Sequence, residues 1–400
     1  MAENFPVQRT CPFAPPPEYE RMREQAPLVR ASLPGGDVWL VTRHAAAKEV
    51  LAGTGISTNP ATPGHPNWAF RPEPPTPEER AAAAEFAIGH FIDLDPPEHS
   101  RFRRLLIPEF TVRRIKELRP GIQRTVDELI DVMLAKGGEA ELVEAFGLAL
   151  PSLVICQLLG VPVDDREFFQ SRTRQMLSHA DGPDASLRAI MELRDYLGTL
   201  ITEATKQPKD DLLGRLIESG QLTHAELVGV TFLLLVAGHE TTANMIPLAA
   251  LTFLRHPGQL AALRENPDKW PMAVDELLRY HSVVDWVAFD RVAVEDQEIG
   301  GQLVRKGEGI FVLGASANRD ERAFERPDEF DVERGARHHV AFGYGVHQCL
   351  GQNLARAEME IALRTLFERI PGLRVTMPDE ELPIKSDGPI FGLKAMPVAW

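Results

Sequence analysis

Two apolar runs, Leu227 to Gly238 and Met245 to Leu254, are separated only by His239-Glu240-Thr241-Thr242-Ala243-Asn244. With their flanks they read as one helix from about His224 to Arg255, apolar on nearly every side. Such a helix has to lie at the centre of a large core, so the chain around it must supply partner helices in several directions. A bilayer span needs ~20 unbroken apolar residues and tolerates central charge poorly, whereas His239 and Glu240 fall in the middle here. The sequence predicts a buried helix in a soluble protein without a membrane anchor.

The remaining sequence meets that demand. Helical patterns run over Arg113 to Leu134, Glu139 to Leu159, Asp165 to Ser178, Ala185 to Lys206, Asp210 to Ser219 and Gln352 to Arg369. Strand signals are short: a hairpin from Leu28 to Leu33 and Val38 to Thr42 around Pro34-Gly35-Gly36, then Val287 to Ala293, Gln302 to Val304 and Gly309 to Leu313. The expected class is mainly α with small β-sheets. The 400 residues are expected to form one domain, with a small β-rich N-terminal lobe and a large helical lobe. A proline-rich segment, Pro60 to Pro77, is too long for a mere connection and reads as a binding loop or a surface insertion. The net charge of −15 argues against a partner such as nucleic acid or anionic membrane. Three cysteines are too few for a disulfide framework, and no signal peptide precedes them, so a reduced, cytoplasmic protein is expected.

The densest chemical signal is Phe342-Gly343-Tyr344-Gly345-Val346-His347-Gln348-Cys349-Leu350-Gly351, directly ahead of the helix at Gln352. A cysteine at a helix start meets orphan N–H groups and the positive end of the macrodipole, both of which stabilise a thiolate. Cys349 is therefore a metal ligand or a nucleophile, whereas Cys156, inside an apolar helix, reads as a small buried hydrophobe.

This stretch resembles the haem-binding loop of the cytochrome P450 superfamily, FGxGxHxCxG, at every fixed position. The resemblance implies a P450 fold with haem b buried between the long central helix and the cysteine-loop helix. Cys349 would be the thiolate ligand of the iron, a ligand that favours O–O cleavage. Phe342 would pack near the sulfur, and Gly343 and Gly351 would shape the loop. Glu276-Leu277-Leu278-Arg279 resembles the family's ExxR helix and Pro327 to Arg334 its PDxFDxxR segment, so Glu276, Arg279 and Arg334 are expected to form a structural network bracing the loop. His99, Arg103, Arg291 and His347 stand at family positions for the haem propionates, whose desolvation needs such partners.

Ala237-Gly238-His239-Glu240-Thr241-Thr242 resembles the family's oxygen-activating segment, with Glu240 and Thr241 as the proton-delivery pair and Gly238 allowing close approach to the backbone. Thr241 is also expected to disturb the helix locally. His239 has no assigned role and reads as a satisfied buried or pocket-edge histidine. A zinc peptidase would need HExxH, but Ala243 stands where the second histidine belongs. His338, His339, His347 and Cys349 match no usual zinc spacing, and without CxxCH covalent c-type haem is excluded.

The overall pattern is similar to soluble actinomycete P450s served by a ferredoxin and its reductase. It implies a monomeric monooxygenase that inserts one atom of O2 into a bulky hydrophobic small molecule by hydroxylation or epoxidation, with electrons ultimately from NAD(P)H. A non-enzymatic haem-thiolate sensor is the alternative, one that would not need Glu240 and Thr241. The donor would dock on Arg101, Arg103, Arg104, Arg113, Arg114, Lys116 and Arg119. The pocket would be bordered by Phe86, Leu235, Val283, Trp286 and Phe391, by Trp68 and Phe70 of a proline-rich lid, and by the helices around Asp181-Gly182-Pro183.

Overall fold

The computed structural model describes residues 5–73, 75–178, 182–385 and 388–400. Two compact units share the chain, which passes between them repeatedly: residues 1–86, 92–100 and 262–350 in one, and 87–91, 101–261 and 351–400 in the other.

The first unit is built on a five-stranded sheet in the order Leu28–Leu33, Gly36–Val41, Gly309–Val312, Asp290–Ala293, Ile56–Ser57. The hairpin forms where Pro34-Gly35 predicted it, pairing Leu28 with Val41 through Leu33 with Gly36. Gly36–Val41 then runs parallel to Gly309–Val312, and every residue of that inner strand is buried, as β-branched and aromatic side chains favour. The strand expected over Val287 to Ala293 is confined to Asp290–Ala293, because Ala288 takes a positive φ of 63° and turns the chain before it.

The described part of the proline-rich segment is tied to neighbouring backbone. Gly35 N donates to Ala69 O at 2.8 Å, and the Trp68 indole donates to Pro60 O at 2.8 Å. Phe70 joins a cluster with Phe5, Trp286 and Phe311 at centroid separations of 5.2–6.4 Å. Edge-to-face and offset rings at such spacing stabilise packing beyond their buried area. Trp286 is partly buried against the sheet's core, and Phe70, 36% exposed, covers the edge of that cluster.

The second unit is arranged round the long helix, His224–Arg255, which matches its sequence reading at both ends. Thr223 caps it in a reciprocal box with Glu226, and its buried residues include Leu227 to Leu235 and Thr242 to Phe253. Helices Ala149–Leu159, Pro183–Lys206 and Gln352–Arg369 pack on it. The helix expected over Glu139 to Leu159 is instead a strand, Glu139–Glu141, a π-helical turn, Val143–Leu148, and then Ala149–Leu159. The reason is local. The Glu141 carboxylate accepts from the amides of Val143, Glu144 and Met396 at 2.7–3.0 Å, and Gly147 lies so close to Pro247 of the long helix that a Cβ would meet the ring at 2.6 Å. Small C-terminal strands, Arg374–Val375, Ile384–Lys385, Gly392–Leu393 and Pro397–Ala399, complete the unit and are too short to give a sequence signal. Among the described residues no helix is long and apolar enough to cross a membrane.

Candidate active site

In the first unit the charge network forms as expected. Arg279 and Glu276, both fully buried, pair through Nε to Oε2 at 2.7 Å and Nη2 to Oε1 at 2.8 Å, and Arg334 Nε reaches Glu276 Oε1 at 3.0 Å. Arg279 Nη1 donates to the carbonyls of Asn318 and Pro327, at 2.9 and 2.7 Å. From Asn318 the network enters the cysteine loop: Asn318 Oδ1 accepts from Val340 N at 2.8 Å, and Val340 O accepts from Gly343 N at 2.8 Å. A second tether joins Asp275, beside Glu276, to His339 at 3.5 Å, with the His339 ring 5.6 Å from that of Phe342. Asn318 and His339 are loop-positioning residues that motif reading alone passed over.

The loop closes on itself, since Cys349 N donates to Phe342 O at 2.8 Å. Gly343 and Gly345 take φ of 67° and 74°, and a Cβ on Gly345 would stand 2.5 Å from Leu51 O, so that turn admits only glycine. Cys349 is exposed, Phe342 is half-buried, and His347 stacks on the nearly fully buried His99 at a centroid distance of 4.1 Å. Arg291, also buried, donates from Nη1 to Thr58 Oγ1, Ala288 O and Asp290 O, while burial opposes its charge. Cys156 is buried as expected, and burial pushes its thiol up to about 11.

In the second unit the long helix is buried from Leu227 to Phe253 except at Val236, Ala237, Gly238 and Thr241. Spacings of three and four place Ala237, Gly238 and Thr241 on one face, so the helix has a single open window at its midpoint. Thr241 Oγ1 donates back to Ala237 O at 3.2 Å, within a helix that runs unbroken from His224 to Arg255. Gly238 has a packing reason of its own: a Cβ would meet Ile155 Cδ1 at 2.7 Å. Glu240 points into the protein, near His239, Asn244 and Lys385. Asn244 in turn touches the C-terminal hairpin, where a Cβ on Gly392 would lie 2.0 Å from its Oδ1.

Leu235 is fully buried, opposite Ala237 and three residues before Gly238. Leu233 and Leu234, four and three residues before Ala237 and each 8% exposed, lie on the side of Ala237. Phe86 is half-buried; Val283 and Phe391 are buried, at 6% and 8% exposure. Asp181 lies outside the described residues.

The basic segment is largely neutralised within its own unit. Arg101 pairs with Glu226, Arg113 and Arg114 with Glu117, and Arg119 bidentately with Glu360. Arg103 is half-buried, whereas Arg104 and Lys116 are exposed and form no ion pair among the described residues.

A family model described as Cytochrome P450 matches residues 23–398. The chain belongs to the cytochrome P450 family. It is 49% identical to pentalenic acid synthase of Streptomyces avermitilis, over 99% of this chain and 97% of that protein. It is 44% identical to 20-oxo-5-O-mycaminosyltylactone 23-monooxygenase of Streptomyces fradiae, over 99% and 92%. The crystal structure of mycinamicin VIII C21 methyl hydroxylase from Micromonospora griseorubida, bound to mycinamicin VIII, superposes with a TM-score of 0.88 at 40% identity, covering 99% of both chains. This P450 is thus a haem-thiolate monooxygenase, dependent on redox partners, O2 and a hydrophobic substrate. Its residues suit the haem: an exposed thiol on a braced loop, buried cationic and imidazole N–H donors for carboxylates, and an open window in a closed helix. Among the described residues no competing cluster of three or more metal-ligating side chains occurs.

Glu276 holds two guanidiniums and the Asp331 amide, at 3.0 Å, inside the protein. Removing its charge strands the partners, which costs about 3–5 kcal/mol. Glu276→Gln should lower the urea midpoint accordingly and weaken haem retention; unchanged values of both would contradict the brace.

Proposed function

We propose that this P450 hydroxylates or epoxidises a bulky hydrophobic metabolite, with Cys349 binding the iron of haem b, His99, Arg103, Arg291 and His347 holding the propionates, and Glu240 with Thr241 delivering protons. The observation that carries the reading is the exposed cysteine on its braced loop in the first unit; the helix window that displays Thr241 in the second unit supports it. When bound, the haem supplies O2 activation, with the thiolate favouring O–O cleavage. The chain's own part is to fix the thiol in place, to exclude water and to move protons at Thr241 Oγ1 and the Glu240 carboxyl. A sensor would need neither of those two residues. Reduced protein with carbon monoxide should show the red-shifted Soret band of a thiolate-ligated haem, lost in Cys349→His; a histidine-type band in fresh wild-type protein would refute Cys349.

Relatives named for tylactone- and mycinamicin-type compounds favour a macrolide, polyketide, terpenoid or steroid-like guest. Leu233, Leu234 and Phe391, all in the second unit, are apolar side chains of the kind such a guest needs. A compound screen for the low-spin to high-spin shift should select bulky apolar molecules; hits confined to small polar ones would overturn the class. On such a hit, Thr241→Ala should leave binding intact and divert electrons to peroxide, and unchanged coupling would exclude its role.

We further infer a cytoplasmic setting in which electrons pass from NAD(P)H through a reductase and an acidic ferredoxin. Arg104 and Lys116, exposed cations in a chain of net charge −15, support that partner. Rising salt should slow ferredoxin-driven reduction, and Arg104→Glu with Lys116→Glu should slow it further while flattening the salt dependence. If the double variant behaves as wild type, the donor docks elsewhere.

A further inference from the structure

Residues 5–17 form no helix or strand, yet they carry a buried guanidinium into the first unit. Arg9 donates to four carbonyls: those of Cys11 and Ala14 from Nε at 3.2 and 3.0 Å, that of Pro12 from Nη2 at 3.2 Å, and that of His281 from Nη1 at 2.6 Å. Burial and the nearby Arg319 oppose its charge, while Asp285 supports it. Three of the bonds wrap the segment round its own arginine. The fourth ties it to the end of the helix Trp270–His281, which carries Glu276 and Arg279.

The last carbonyls of a helix lack intrahelical donors and lie at the negative end of its dipole. A glycine in the left-handed conformation commonly closes such an end, but here Ser282 takes it, at φ 44°, against the preference of a residue with a Cβ. Two guanidiniums hold the carbonyls in place: Arg319 Nη2 reaches Tyr280 O at 2.9 Å, and Arg9 Nη1 reaches His281 O. Arg319 Nη2 also donates to Phe13 O at 2.8 Å, and Tyr19 Oη donates to Asp285 Oδ2 at 2.6 Å, so the N-terminal segment is fastened on both sides of Ser282. The His281 ring adds no charge of its own, since burial, Arg9 and Arg319 push its pKa well below the usual value.

Ser282 passes its position on. Its hydroxyl donates to Arg279 O at 3.0 Å and accepts from Asn318 Nδ2 at 2.8 Å, and Asn318 Oδ1 accepts from Val340 N at the head of the Cys349 loop. Farther along the same segment, the Phe289 ring packs so close to Gly343 that a Cβ there would stand 3.3 Å from it. We propose that Arg9 is a positioning residue for the Cys349 thiol: as the helix cap supplied by the N-terminal segment, it holds Ser282 in its left-handed turn and, through Asn318, the cysteine loop in register. The proposal rests on Cys349 being the iron ligand. Without the cap Ser282 relaxes toward negative φ, its hydroxyl leaves Asn318, and Val340 loses its anchor.

The test uses the holoenzyme and two variants: Arg9→Lys keeps the charge but not the planar fork, and Arg9→Gln removes the charge. In both, the Val340 and Gly343 amides should exchange hydrogen roughly tenfold faster, the effect of losing one bond from a charged donor. In dilute urea the thiolate-type CO band should give way to a histidine-type band faster by a similar factor. Asn318→Ala should cause the same two changes, and Arg9→Lys added to it should change little more. Phe5→Leu, which loosens the segment at its ring contact with Trp286 and leaves Arg9 alone, should cause neither. Wild-type exchange and band stability in Arg9→Lys would overturn the proposal, even if Arg9→Gln fails to hold haem. Full additivity with Asn318→Ala, or equal effects from Phe5→Leu at a matched urea midpoint, would overturn it too. A histidine-type band in fresh wild-type protein would instead refute Cys349 as the ligand, and the exchange rates would still decide whether Arg9 holds the loop.

Discussion

A guanidinium with no access to water sets the terms for the cysteine-bearing unit. Arg279 is fully buried, and five hydrogen bonds to Glu276 and to the carbonyls of Asn318, Pro327 and Glu329 offset its desolvation. Those partners come from separate stretches of chain, so satisfying one cation fixes the relative positions of the Trp270–His281 helix, the Asn318 turn and the segment leading to Arg334. The Cys349 loop inherits that geometry through Val340 and Gly343. An exposed thiol is held in place by a charge that never meets solvent.

The second unit solves a different problem. A helix that is apolar on all sides would normally close over completely, and this one does so except at Val236, Ala237, Gly238 and Thr241. Small residues make the window: alanine and glycine there leave room, while Ile155 fills the space behind Gly238. The polar groups are thereby sorted, with the hydroxyl of Thr241 on the open face and the Glu240 carboxyl turned inward among His239, Asn244 and Lys385.

What could be read from the chain alone followed strength of pattern. The long helix and Gln352–Arg369 have long, strongly patterned sequences and appear with the expected ends. The ExxR and PDxFDxxR spacings announced the Glu276, Arg279 and Arg334 network because each position has a chemical requirement. The misses were decided by contacts distant in sequence. Glu139 to Leu159 looks helical locally, yet Pro247, about a hundred residues on, imposes the π turn at Gly147. Trp286 and Phe70 share one ring cluster with Phe5 and Phe311, four residues from separate stretches of chain. The pairing of four arginines with Glu226, Glu117 and Glu360 involves partners on other turns or helices, which a run of positive letters does not reveal.

The contact between Gly392 and Asn244 bears on how such an enzyme can diversify. On the proposed function, the hairpin beside Phe391 is among the places where a change of guest would be written, and its strands are only two residues long. Yet at Gly392 any side chain would displace Asn244, whose amide holds the Glu240 carbonyl. On that reading, a change of guest at Phe391 acts one residue from a position whose drift is felt at Asn244 and Glu240. Substitutions in this hairpin are expected to show epistasis with Asn244 and Lys385, and a segment transplanted from a relative succeeds only if it brings its glycine in register.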